Sequence, residues 1–314
     1  MKILLNTSYE FMKHVKKFTV ISILLLSVTL AFLTTKGLNY GIDFSGGLLV
    51  EVQVKDGVTI SDLREKLSTI KDMEATLQKF GSDKDILIRT NVSGLDVQEV
   101  LSLVKSTISD SVSTFRRTEY VGPVVGEELK ETAIYAVLYA LFAMLIYIWL
   151  RFEWQFGVAA LIALLHDVLI TIGFIAIIGV DFGLSTVAAI LTIAGYSIND
   201  TVVVFDRVRE NFIKYNKKDL SEILDKSINQ SLSRTVVTSA TTLLALLALY
   251  IFGGEVIAGF TLAMIFGVLI GTYSSNCLAV PLLMWMKPNR GDEEFIDPVK
   301  VLQRQQDLER SNGK

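Results

Sequence analysis

The sequence predicts a polytopic α-helical membrane protein with six transmembrane helices and a water-facing α+β domain inserted between the first two. Three observations predict it. Hydrophobic residues make up 51% of the 314, and the mean hydropathy is positive, outside the range usual for a soluble chain. The apolar residues gather into six runs, each long enough for the roughly 17–25 residues that cross a bilayer. Charge is concentrated in residues 51–120 and 206–234, which places water-exposed segments between the first and second runs and between the fourth and fifth.

Residues 1–17 read as a basic N-terminal segment, with Lys13, Lys16 and Lys17 ahead of the first span at 18–36. No small-residue cleavage site of the A-x-A type follows that span, so it reads as an uncleaved helix and not a signal peptide. Residues 40–128 carry the inserted domain. Leu48 to Val54 alternates around Val50, Val52 and Val54 and reads as a strand. Thr59 to Leu67 reads as a helix, with Thr59 or Ser61 available as N-cap. Ala75–Phe80 and Ile86–Thr90 read as strands joined by the turn Gly81-Ser82-Asp83. Leu95 to Ile108 repeats apolar residues at helical spacing, and Val112 to Val121 closes the domain with a strand. The order βαββαβ is the ferredoxin-like arrangement, with two helices on one face of a four-stranded sheet. A core of about 80 residues is marginal unless it docks against something.

The remaining spans are placed at 131–150, 156–178, 184–205, 236–253 and 257–286, the last long enough to tilt or to break at Pro281. Residues 206–234 are amphipathic and read as a solvated cytoplasmic connector, with helices touching the membrane surface as a secondary role. The polar tail, 287–314, is expected to fray. Orientation follows from the basic residues. Lys13, Lys16, Lys17, Arg151, Arg207, Arg209, Lys214, Lys217, Lys218, Lys226, Arg234, Lys287 and Arg290 flank one set of span ends. The two short opposite loops offer only Asp181 and Glu255. The excess of positive charge puts both termini in the cytoplasm and 40–128 outside.

Composition also excludes. The single cysteine, Cys277, lies in an apolar run, which rules out a disulfide framework and a cysteine metal cluster. No basic patch with interleaved aromatics suggests nucleic acid. No nucleophile–base pair, phosphate loop or metal spacing is present, so no enzymatic site, cofactor or ATP hydrolysis is expected.

The chemistry-bearing residues are the polar ones inside the spans. Asp200 sits in the fourth run, about 9 Å from its cytoplasmic end at 1.5 Å per residue. A carboxylate there is costly and marks a pathway or a pair. Arg234 opens the fifth span at a similar depth, within reach of Asp200. Tyr196 lies one helical turn before Asp200, and Asn199 adjoins it. His166 and Asp167 lie near the centre of the third span; a His and two carboxylates on nearby helices fit a proton relay. The competing reading is an Asp200–Arg234 ion pair that only fixes helix packing. Gly41, Asp43, Gly46 and Gly47 at the exit of the first span, and Gly122, Pro123 and Gly126 on the return, read either as hinges or as fixed couplings between domain and membrane.

Five segments then resemble a known family. They are Gly41-Ile42-Asp43-Phe44-Ser45-Gly46-Gly47, Val121-Gly122-Pro123-Val124-Val125-Gly126, His166-Asp167-Val168, the run from Ala194 to Arg207 with Tyr196-Ser197-Ile198-Asn199-Asp200-Thr201 at its centre, and Ser231-Leu232-Ser233-Arg234-Thr235. Together they resemble SecF, the smaller subunit of the SecD–SecF accessory complex of bacterial protein export, within the resistance–nodulation–division superfamily. The resemblance runs from the first span to about Lys287, and is to a stand-alone SecF and not to a fused SecD–SecF. It implies an inner-membrane subunit that, with SecD, uses the proton-motive force to complete preprotein translocation after the SecA-driven step. It also implies SecY–SecE–SecG, the translocating preprotein, and the accessory proteins YajC and YidC as partners. Asp200 and Arg234 match the family's proton-transport residues, with protons as the coupling ion. Two rival readings are half of a small-molecule efflux transporter and a non-transporting scaffold. The first needs large porter domains and a second outside loop; the second gains nothing from an intramembrane Asp and Arg.

Overall fold

The computed structural model describes residues 8–70, 73, 75–90, 97–215 and 217–288. The expectations for residues 1–7, for the start of the second domain helix at Leu95 and for the tail from 289 lie outside them.

A 3-10 turn, Met12–His14, leads into α1 (Val15–Thr35). A four-residue helix, α2 (Ile42–Ser45), then delivers the chain to β1 (Gly47–Val54). The domain continues with α3 (Ile60–Leu67), β2 (Ala75–Phe80), β3 (Ser82–Thr90), α4 (Val97–Ile108) and β4 (Val112–Val121). Its four strands are antiparallel throughout, in the order β2-β3-β1-β4, with Val50 opposite Ile88 on one side and Thr118 on the other. The period-2 alternation read in β1 sorts its side chains. Leu48, Val50 and Val52 meet Ile86, Ile88, Leu63 and Leu67, with Val100, Val104 and Ile108 of α4. Leu49 turns to the other face, against Leu87 and Ile42. Thr59 is the N-cap of α3: its hydroxyl accepts the Asp62 N–H while Asp62 accepts the Thr59 N–H at 2.8 Å, a reciprocal capping box.

The helices α5 (Pro123–Arg151), α6 (Trp154–Ile178), α7 (Leu184–Lys214) and α8 (Leu220–Phe252) follow. The sixth span is composite: α9 (Glu255–Ser274), a π-helical turn (Ser275–Ala279) and α10 (Val280–Met286). Among the described residues, six helices are long and apolar enough to cross a membrane. Spans three and four are the centre of the bundle, 56% of their apolar windows being buried against 11% for spans one and two.

Three boundaries differ from the sequence reading, each for a physical reason. The connector 206–234 is not a separate segment. α7 runs on to Lys214 and α8 begins at Leu220, because Val208 and Phe212 on one rod pack against Ile223, Leu224 and Ile228 on the other. Asn211 donates to Ser227 at 2.8 Å and to Gln230 at 2.9 Å across the same seam. The second span starts at Pro123, since a proline at the first helical position loses no helix hydrogen bond. The last span does not break at Pro281 but runs on through the π turn Ser275–Ala279, ahead of the proline. Proline removes a donor and crowds the carbonyl four residues before it, and the wider turn upstream accommodates both.

Candidate functional site

Helical periodicity brings one face of α7 into the bundle. Ile193, Ser197, Asp200, Thr201 and Val204 are buried, while Asn199 is exposed. Asp200 does not meet a cation at hydrogen-bonding range. Its Oδ1 accepts from Thr235 Oγ1 at 2.8 Å and its Oδ2 from Ser275 Oγ. Arg234, one residue before Thr235, is rotated about 100° from it around α8 and is exposed. The Asp200–Arg234 ion pair expected from their depths is therefore not formed.

Asp167, on α6, is fully buried. His166 Nδ1 is 2.9 Å from its Oδ1, and Oδ2 accepts from Ser197 at 2.6 Å and from Ser274. Thus Ser274 serves the acid on α6 and Ser275 the acid on α7. Tyr196 and Asn199 do not join them. Tyr196 donates to Ser239 at 3.1 Å, and Ser239 pairs with Thr272 at 2.7 Å; Asn199 faces outward. The close approach of α9 to α7 depends on Gly267, where a Cβ would lie 2.3 Å from Ile193 Cδ1.

This donor set has a chemical consequence. Hydroxyls both donate and accept, so they satisfy a carboxylate and, after reorientation, a neutral carboxylic acid. An arginine in their place serves only the carboxylate. Sequence reasoning missed Ser197, Ser274 and Ser275 as parts of the site. The available signal was the polar triplet Ser274-Ser275-Asn276 inside an apolar run.

The glycine motifs meet at the outer end of the bundle. Asp43 Oδ2 accepts the Leu184 N–H at 2.8 Å and so caps α7, the helix that carries Asp200. Gly41 donates to the Phe182 carbonyl at 3.0 Å, and Phe182 donates to that of Asn39 at 2.7 Å. Gly46 has φ +67°, and a Cβ there would lie 2.9 Å from Pro123 Cα; at Gly126 it would lie 3.0 Å from Gly46 N. Gly47 pairs with Val121, and Gly122 and Pro123 start α5. The two motifs form one packed joint. A second tie was not foreseen: Arg89 of β3 is ion-paired with Asp181, which also accepts from Asn39 at 2.7 Å. Burial pushes the Arg89 guanidinium below its usual pKa, and Asp181 supplies the compensating charge.

With this geometry established, similarity to known proteins is specific. Residues 100–289 match the family described as protein export membrane protein SecD/SecF, C-terminal, and residues 31–58 match the SecD/SecF GG motif. A protein translocase subunit SecF of Desulfurispirillum indicum is 45% identical over 294 residues, covering 90% of this chain and 92% of that one. One of Rickettsia bellii is 44% identical over 279 residues, covering 88% and 92%. The chain belongs to the SecF family. The crystal structure of SecDF, a translocon-associated membrane protein from Thermus thermophilus, superposes with a TM-score of 0.83 at 37% identity over 91% of this chain. A second SecDF structure, in a super-membrane-facing form, gives 0.68 at 35% identity over 99%. The chain spans 40% and 41% of those two SecDF chains. Six apolar helices and these relatives make it a multi-pass membrane protein.

Proposed function

We propose that this SecF-family chain is an auxiliary subunit of the Sec translocase that, with SecD, uses the proton-motive force to complete preprotein translocation. The observation that carries the reading is Asp200, a buried carboxylate held by neutral hydroxyls in a chain whose relatives are translocase subunits. In this reading Asp200 takes a proton from the outside and releases it toward the cytoplasm, and Arg234 attends the release. A charge crossing the membrane potential is worth about 2.3 kcal/mol per 100 mV, enough to bias a two-state element with a gap of that order. The joint capped by Asp43 passes the movement of α7 to the sheet domain.

The same reading places the sheet domain, ferredoxin-like in its βαββαβ order, outside an inner membrane and both termini in the cytoplasm. Support for SecD as partner comes from SecDF chains that contain a SecF-like part. It also comes from a polar strip on α7 and α8, where Asn199, Arg234, Thr238 and Thr241 are exposed at depths where lipid is a poor solvent for them. SecY–SecE–SecG, SecA, the preprotein, YajC and YidC enter as wider partners. The chain itself works without an enzymatic site or a cofactor other than protons.

The test is translocation into inverted membrane vesicles containing SecD and this chain. Asp200→Asn, which preserves shape and hydrogen bonding, is expected to remove the stimulation by a proton gradient and spare the SecA-driven step. Full stimulation in that variant would refute the proton role of Asp200.

A further inference from the structure

We infer that Asp167 is a second proton-binding residue, coupled to Asp200 through Ser274 and Ser275; the inference rests on the reading of Asp200 as a proton carrier. The two acids lie on different helices, α6 and α7, yet their hydroxyl donors are consecutive residues at the point where α9 passes into the π turn. Each serine has a second acceptor at hand. Ser274 reaches the Gly271 carbonyl at 3.2 Å, and Ser275 the Thr272 carbonyl at 3.1 Å. Ser197, which donates to Asp167, stands one turn before Asp200 on α7, so the two acids are bridged a second time.

These alternatives define a switch. An ionised carboxylate only accepts, so each serine donates to its acid. When Asp200 takes up a proton, its new O–H donates to Ser275, and the Ser275 hydroxyl hydrogen turns to the Thr272 carbonyl. No other bond is made or broken, and the proton that entered stays on Asp200. Ser274 is the next residue on the same turn, so a weaker or stronger hold of Asp200 on Ser275 shifts that turn and with it the Ser274 donor to Asp167. A proton on Asp167 acts in reverse. His166 adjoins Asp167 through Nδ1, while its buried Nε2 has no hydrogen-bond partner among the described residues.

Among the described residues, the titratable and charged groups on the elements packed around the pair include His166 on α6, Tyr196 on α7, Arg234 on α8, Tyr273 on α9 and Cys277 in the π turn. From α1 comes the hydroxyl of Ser22, 3.2 Å from that of Tyr273. The tyrosines of α5, Tyr135, Tyr139 and Tyr147, are exposed on its outer side.

The experiment is a pH titration of protonated-carboxyl bands by infrared difference spectroscopy on the purified complex with SecD in lipid vesicles. The variants are Asp200→Asn, Asp167→Asn, Ser274→Ala and Ser274→Thr. Two carboxyl bands are expected, one lost in each Asn variant. In Asp167→Asn the midpoint of the Asp200 band moves by at least about one pH unit, the hallmark of coupled sites. Ser274→Ala, which touches Asp167 and not Asp200, also moves the Asp200 midpoint, and Ser274→Thr restores it. The inference is overturned if Asp167→Asn loses no band, or if the Asp200 midpoint stays fixed in both Asp167→Asn and Ser274→Ala. Should Asp200→Asn lose no band, the reading of Asp200 itself fails, and the coupling falls with it.

Discussion

At its outer end α7 meets Asp43, whose carboxylate accepts a backbone N–H at the positive end of the helix dipole, next to the Arg89–Asp181 ion pair. Sixteen residues further on, from Leu184 to Asp200, the same helix presents its own carboxylate to two neutral hydroxyls. The outer partners are fixed donors and a permanent cation, suited to holding a geometry. The inner partners exchange donor and acceptor roles, suited to a group that changes charge. One helix thus carries a fastening and, in the proposed reading, a titrating site, and the difference lies in the partners, not in the acid.

The sharpest way to break this comparison is at the inner site. Thr235→Val removes a wholly buried donor and leaves Asp200 Oδ1 without it, at an expected cost of about 1–3 kcal/mol. Reversible unfolding in detergent checks this, and an unchanged stability would show that the Thr235 bond contributes nothing.

At the outer end Asp43→Ala removes the cap of α7, with an expected loss of about 1 kcal/mol. Hydrogen exchange should accelerate at Leu184 and the following turn and stay unchanged around Asp200. Equal acceleration at both places would show that the fastening and the site are one unit.

Arg89→Gln breaks the second tie and keeps the side chain's length and polarity. A spin-label distance between β3 and the outer end of α7 is expected to broaden while the melting of the spans is unaltered. A distribution as narrow as wild type would leave the joint to Asp43 and the glycine motifs alone.

The smallest effect on stability is expected for Arg234→Gln. Arg234 is exposed and does not pair with Asp200, so the unfolding free energy should change by no more than about 0.5 kcal/mol. Loss of proton-stimulated export without loss of stability separates a functional arginine from a structural one. A loss of several kcal/mol would restore the packing ion pair.

Much of the fold was legible because its signals are local. Apolar length marked six spans, and alternation in Leu48 to Val54 marked β1 and its buried face. The stretch 206–234 read as amphipathic with helices, and Val208, Phe212, Ile223 and Ile228 do keep a helical stripe through it; its charges hid that these helices are continuous with α7 and α8. A tilt or a break at Pro281 was expected and the π turn at Ser275–Ala279 was not, because a π turn has no residue signature of its own and arises upstream of the proline that provokes it.

At the site, sequence singled out Asp200, Arg234, His166 and Asp167 by a rule that needs no neighbours: charge inside an apolar span is costly and requires a reason. It also marked the glycine motifs as the route between domain and membrane. Which groups face which acid was a tertiary matter. Depth along two antiparallel helices made Arg234 the expected partner of Asp200, but rotation about each axis decides contact, and it is set by packing such as that of Gly267 against Ile193. That rotation turned Thr235 inward and Arg234 outward, and it brought Ser274 and Ser275 to two acids on different helices. The sequence by itself determined that the membrane core holds acids. Only the packing of α6, α7, α8 and the sixth span decided that hydroxyls, and not an arginine, hold them.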